Sequence, residues 1–253
     1  MKTYSVEKRT KIQLEKNNID EFRDMSRILT EMMDKINKDY GEMQEFLEYS
    51  SHELQTPLSI IQLKLDALCQ KNSQNQEILD SVASIQASVN RVTKFNRSLL
   101  FIAKIRNGQY APDVQIDLKK VVLDLICQYG ELLNMRNIAV KFEKKENFDL
   151  NLHPVLATHL VQNVFTNAIK HNVADGYISI SIEADSLKLS NTFNGDVPVG
   201  NLFDKYIHSS VQQDSNGLGM AIAKTICQKN KLDITYQIEG KIFTIVISRQ
   251  ENR

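Results

Sequence analysis

Between residues 20 and 53 the apolar positions recur in a heptad. One seam position reads Phe22, Leu29, Ile36, Met43, Ser50, and its partner reads Met25, Met32, Asp39, Phe46, Glu53. This is the spacing of a coiled-coil seam. An amphipathic helix lying on a globular core would satisfy it too, but four repeats free of Gly and Pro until Gly41 favour the coiled coil. After Ser50 the stripe shifts to Leu54, Leu58, Ile61, Leu65 and Leu68, a four-residue offset that reads as a stutter. The polar run KNSQNQ interrupts it, and a second stripe follows through Leu79, Val82, Ile85, Val89, Val92, Leu99 and Ile102. The pattern predicts two long helices joined by a short turn. Such a hairpin cannot bury both apolar faces alone, so two hairpins are expected to pair into a four-helix bundle.

Asn107-Gly108, followed by Pro112, predicts the end of the second helix and a linker. Beyond it, helical patterns at 118–134 and 154–172 alternate with short strand-like runs at Ala139–Glu143, Tyr177–Glu183, Leu187–Asn191, Leu232–Gln237 and Ile242–Ser248. Mixed helices and mostly sequential strands predict an α+β layered domain of about 140 residues. Residues 192–216 show little periodicity, and a loop of that length in a compact domain is usually functional or disordered. No internal repeat is found. The expected organisation is an input coiled coil over 1–40, a dimerisation hairpin over 41–108 and an α/β domain over 113–253.

Composition narrows the function classes. The 31 basic and 31 acidic residues cancel, which argues against sequence-independent nucleic-acid binding. The three cysteines, Cys69, Cys127 and Cys227, form no CxxC pair, so reduced thiols are expected rather than a zinc or redox motif. No apolar run approaches the ~20 residues that span a bilayer, and the start, MKTYSVEKRT, has no signal-peptide core. The chain as given is therefore expected to be soluble.

Three constellations carry chemistry. The first is Ser51-His52-Glu53-Leu54-Gln55-Thr56-Pro57-Leu58. His52 lies about 200° around a helix from Leu54, off the apolar seam, with Thr56 one turn further along its own face. Pro57 predicts a kink against the Glu53 carbonyl. A carboxylate at Glu53 can accept from Nδ1–H and leave Nε2 as the nucleophile. The second is Asn163-Val164-Phe165-Thr166-Asn167-Ala168-Ile169-Lys170-His171-Asn172. Asn163, Asn167, Lys170 and His171 share one helix face. Amide oxygens suit a hard Mg²⁺ already holding phosphate oxygens, and Lys170 supplies a point charge. A plain polar helix face would show the same residues. The third is Ser215-Asn216-Gly217-Leu218-Gly219, where two glycines open a helix whose free N–H groups can meet an anion.

In this order the three resemble the H box, N box and second glycine box of bacterial sensor histidine kinases, from about Asp20 to Ser248. Leu202-Phe203-Asp204-Lys205-Tyr206 is similar to their F box. The resemblance implies an all-α dimerisation hairpin, forming a four-helix bundle as a homodimer, plus an α/β sandwich that binds ATP and Mg²⁺. It implies that His52 is the phosphoacceptor, Glu53 its assisting base, and Thr56 the residue that positions water for dephosphorylating a partner. Asn167 is the implied Mg²⁺ ligand, with Asn163 and Lys170 near the phosphates and Gly217, Leu218 and Gly219 cradling them. His171 stands where the family often has Tyr. The implied partner is a response regulator receiver domain, and the implied location is cytoplasmic, with membrane attachment only through a segment absent from this chain.

The first glycine box departs from the family. Asn191-Thr192-Phe193-Asn194-Gly195 stands for Asp-x-Gly-x-Gly, so Asn191 replaces the adenine-reading Asp, Phe193 replaces Gly, and Gly195 survives. An Asn still accepts a hydrogen bond but loses the charge-assisted part, about 1 kcal/mol. A catalytically weak or dead dimeric scaffold is the alternative this erosion raises.

Overall fold

A computed structural model describes residues 20–71, 74–111, 114–193, 203 and 218–250; within the first helix some side chains, including that of His52, lie outside the description. The chain divides into two compact units, Met1–Gln109 and Tyr110–Arg253.

The first unit holds α1 (Asp20–Lys71) and α2 (Gln76–Arg106). The α1 helix is continuous through Pro57. Asn75 starts α2 by accepting from Ile78 N, and the Asn107 N–H closes it on Ala103 O. The two helices share a small apolar seam of Leu65, Val82 and Val89, flanked by Leu58, Cys69 and Ile78. Gln62 donates to Asn90 at 2.8 Å and Gln86 to Asp66 at 2.9 Å, tying the same faces together. Much of the predicted stripe stays uncovered: Met25, Leu29, Met32, Ile36, Leu54, Ile61, Leu68, Ile85 and Val92 are all exposed. The heptad side chains of Phe22, Met43 and Phe46 lie outside the description, as does the input segment before Asp20.

The second unit runs β1 (Gln115–Ile116), α3 (Leu118–Gln128), α4 (Gly130–Met135), β2 (Ala139–Lys144), β3 (Leu150–Asn151), α5 (Pro154–Lys170), β4 (Tyr177–Ile182), β5 (Ser186–Thr192), α6 (Gly219–Lys229), β6 (Leu232–Glu239) and β7 (Ile242–Arg249). Five strands form one sheet in the order β2-β4-β5-β7-β6, and β1 and β3 pair as a separate ribbon. Only β2 and β4 are parallel, joined by the crossover through α5; the other pairs are antiparallel. The alternation Ile178-Ser-Ile180-Ser-Ile182 has a direct consequence. The isoleucines are buried, with Leu187, Leu189, Ile245 and Ile247, under the helices. Ser190 and Thr244 pair through their hydroxyls at 2.8 Å on the opposite face. Leu156, Leu160, Val164, Phe165, Ala223 and Ile226 supply the helical side of this core. The result is a two-layer α/β sandwich. The helix predicted over 118–134 is broken at Tyr129, where α3 ends and Gly130 opens α4.

Candidate functional site

The N-terminus of α5 is set by His153, whose Nδ1 accepts from Val155 N at 3.2 Å, with Pro154 in the first turn. Its apolar face enters the core. Asn163, Asn167 and Lys170 are half-buried on the other side, and the Lys170 ammonium nitrogen is itself buried. Asn163 donates Nδ2 to His159 O at 2.8 Å, which turns Oδ1 away from its own helix. That oxygen faces the start of α6: a Cβ added at Gly219 would lie 3.1 Å from it. A glycine at 219 thus keeps open the space between the Asn163 amide and the first turn of α6. The α6 helix begins after Leu218 with no side-chain cap. Amide oxygens, a buried ammonium and an uncapped helix start form a donor set that fits a Mg²⁺-bound triphosphate.

The far end of α5 is also secured. Arg136 donates Nη1 to Ile169 O and Nη2 to Asn172 O, and the His171 N–H bonds Asn167 O at 3.0 Å. Partial desolvation of the His171 ring, which keeps solvent access, then the charges of Lys170 and Arg136, lower its pKa below the ordinary 6.5. Burial lowers His159 in the same sense. His171 is therefore biased toward the neutral imidazole.

Asn191 lies on β5 opposite Ile178 and Phe243, on the buried face of the sheet, and is 1% exposed. Its Nδ2 donates to Thr192 O at 2.7 Å, so the amide oxygen remains the atom that can accept from a ligand. A carboxylate here would set an oxygen against that carbonyl. Phe193 is buried and stands edge-to-face with Phe243, ring centroids 6.2 Å apart; Phe243 stacks on Tyr236, and Tyr236 meets Phe203 edge-to-face at 5.7 Å. The residue replacing the family glycine is thus one member of an aromatic cluster that includes the F-box phenylalanine. Gly195, Gly217, Ser215 and Asn216, and the F-box residues other than Phe203, lie outside the described residues.

In the other unit, His52, Glu53 and Thr56 lie within α1, and Glu53 and Thr56 are solvent-exposed. The expected solvent-facing orientation of the His52 ring lies outside the description. Asn172 and Thr192, which lie in the sequence motifs without an assigned role, and Gly176, which lies outside them, adjoin the site. The signals available were the glycine in Asp175-Gly176, shortly after the N box, and a hydroxyl directly beside Asn191.

Comparison with protein-family models matches the His Kinase A (phospho-acceptor) domain to residues 42–108. It matches the Histidine kinase-, DNA gyrase B-, and HSP90-like ATPase to residues 153–251. The chain belongs to the two-component sensor histidine kinases. Among curated relatives, this histidine kinase is similar to the heme sensor protein HssS of Staphylococcus saprophyticus, 26% identical over 218 residues, 81% of this chain and 46% of HssS. It is also similar to the signal transduction histidine-protein kinase ArlS of Staphylococcus aureus, 26% identical over 251 residues, 93% of this chain and 55% of ArlS. The chain spans about half the length of the curated relatives it matches. Among solved structures, full-length ShkA in complex with AMPPNP aligns at TM-score 0.62 and 17% identity, covering 81% of this chain and 45% of ShkA. The histidine kinase AdeS of Acinetobacter baumannii aligns at 0.53 and 19%, covering 80% and 98%. At such identities these likenesses establish the fold alone: a helical region followed by a mixed α/β domain.

Proposed function

We propose that this histidine kinase transfers the γ-phosphoryl group of ATP to Nε2 of His52 and then to an aspartate of a response regulator receiver domain. In the first step the Nε2 lone pair attacks phosphorus, the bond to the β,γ-bridging oxygen breaks, and ADP leaves. Glu53 accepts the Nδ1 proton that the phosphorylated ring gives up. Asn167, with Asn163 beside it, would hold Mg²⁺, which when bound spreads the charge of the triphosphate. Lys170 adds a fixed positive charge, and Gly217, Leu218 and Gly219 bring backbone N–H groups to the phosphates. Asn191 reads the base as an acceptor, and His171 flanks the site as a neutral ring. The protein mainly positions the reactants and neutralises charge. Thr56, one helical turn from His52, orients water for dephosphorylating the regulator. The chain acts as a homodimer in the cytoplasm, with no nucleic acid among its partners.

The observation that carries this reading is the Asn163–Asn167–Lys170 face of α5 set against Gly219 at the start of α6. Both lie within an ATPase domain that follows a phospho-acceptor domain. One observation favours a second reading, a catalytically weak or dead dimeric scaffold: Phe193 is buried in an aromatic cluster where the family has glycine. Calorimetric titration with ATP, with and without Mg²⁺, separates them. The kinase reading expects saturable binding that Mg²⁺ strengthens, and the scaffold reading expects none.

A further inference from the structure

The two ends of the proposed nucleotide site sit on different elements. The phosphate-facing residues lie on α5 and the base-facing Asn191 on β5. A small, partly buried clasp joins them. Arg136 grips the last carbonyls of α5 at Ile169 and Asn172. Asn172, 6% exposed, takes the next link with both atoms of its amide: Nδ2 donates to Tyr177 O at 3.1 Å, and Oδ1 accepts from Thr192 Oγ1. The Thr192 hydroxyl in turn accepts from Tyr177 N at 3.0 Å. The direction of the bonds at the Thr192 hydroxyl is fixed. Thr192 Oγ1 has a single proton, and it goes to Asn172, which leaves the oxygen to receive Tyr177 N–H. Gly176 is required at the centre, because a Cβ there would collide with both Asn172 Oδ1 and Thr192 Oγ1.

We propose that Arg136, Asn172 and Thr192 are positioning residues that hold the C-terminal end of α5 in register with the end of β5, so that one nucleotide can engage both at once. This rests on the nucleotide reading above. Its physical basis is that a ligand spanning two subsites gains from both only when their separation is fixed beforehand. Thr192 is adjacent to Asn191 and Asn172 is two residues beyond Lys170, so each end of the clasp lies next to one subsite. Its members are uncharged except Arg136, whose charge is spent on backbone carbonyls rather than on a phosphate.

The test compares a ligand that spans both ends with one that touches a single end. MgATP and adenosine are titrated against wild type, Thr192→Val and Thr192→Ser, and the melting temperature of each protein is recorded. Thr192→Val removes the hydroxyl at nearly constant shape and is expected to weaken MgATP about tenfold, as loss of one or two hydrogen bonds in a fixed network would. Adenosine affinity is expected to stay within about twofold, and Thr192→Ser to restore MgATP binding to within about twofold of wild type. Should Thr192→Val fail to fold, Arg136→Lys keeps the charge, breaks the two-pronged grip and is read by the same criteria. Unchanged MgATP affinity in a folded variant with a lowered melting temperature would show a merely structural role and overturn the proposal. Equal loss of adenosine and MgATP would also overturn it, since that is local damage to the base subsite. A wild-type protein that binds neither ligand overturns the nucleotide reading itself, and the clasp with it.

Discussion

The two units of this kinase differ in how far each completes itself. The α/β unit closes its own core: Ile178, Ile180, Leu160, Phe165, Ala223 and Ile226 are all at or below 1% exposure. The hairpin buries a small seam of Leu65, Val82 and Val89 between its helices, and Leu100, Ile102, Ala103 and Ile105 near the end of α2, yet leaves apolar side chains such as Met32, Ile61, Leu63 and Ile85 in solvent. An apolar stripe that one copy cannot cover fits a unit built to associate with another copy. The chemistry follows the same division. The hairpin's proposed reactive residues sit within one stretch of α1 and are legible as a motif. The α/β unit draws its proposed nucleotide site from α5, β5 and the start of α6, which are far apart in sequence.

That contrast can be broken at several points. The largest expected effect is at Asn167. Replacing it with Ala removes the proposed Mg²⁺ ligand from a half-buried helix face that tolerates substitution, so ATP-dependent labelling should fall by about 100-fold or more while circular dichroism stays unchanged. Normal labelling by a folded Asn167→Ala protein at modest Mg²⁺ would show that the ligand lies elsewhere.

Next comes the closed core. Leu160 is 1% exposed, so Leu160→Ala should cost about 2–5 kcal/mol of stability in the α/β unit. Replacing the exposed Ile85 of the hairpin with Ala should cost the monomer far less and instead weaken self-association, read by sedentimentation equilibrium or light scattering. A similar loss of monomer stability at both sites would erase the contrast between the units.

A smaller effect is expected at the base end. Asn191→Asp alone sets a carboxylate oxygen against the Thr192 carbonyl that now accepts from Nδ2 at 2.7 Å. It also does so beside the ring at 193. No gain in ATP affinity is expected from it alone, and a gain of roughly 1 kcal/mol is expected when it is paired with Phe193→Gly. Titrating wild type, both single mutants and the double mutant gives the coupling energy. A coupling near zero would show that positions 191 and 193 do not share one subsite.

The smallest effect is one of pH. The folded pKa of His171 lies below its unfolded value of 6.5, as does that of His159. Below about pH 6.5 the unfolded chain therefore binds protons that the native unit resists. Stability from these groups is present above pH 6.5 and is lost as pH falls toward the folded values. Urea unfolding of the α/β unit should show this slope, and His171→Gln should reduce it.

Much of this architecture was legible beforehand because its signals are local. The alternation of Ile178, Ile180 and Ile182 marks a half-buried strand, and Leu79, Val82, Ile85 and Val89 mark a helix face. The β1–β3 ribbon was not legible, since two-residue strands carry no periodicity. The break at Tyr129 was missed because the apolar pattern continues across it while the backbone does not. At the site, Asn163, Asn167 and Lys170 were readable from one helix. The bond from Thr192 to Asn172 was not, because only the crossover from α5 through β4 to β5 brings those residues together. The cluster of Phe193, Phe243, Tyr236 and Phe203 was hidden for the same reason: two of its rings come from β6 and β7 and two from positions outside the strands.

The central claim is that His52 takes phosphate from ATP. Incubation with γ-labelled ATP and Mg²⁺, followed by acid and alkali treatment of the labelled protein, tests it most directly. Wild type is expected to carry label that acid removes and alkali spares, the behaviour of phosphohistidine, and His52→Ala is expected to carry none while remaining folded and dimeric. Label on folded His52→Ala, or label in wild type that survives acid, would contradict the account.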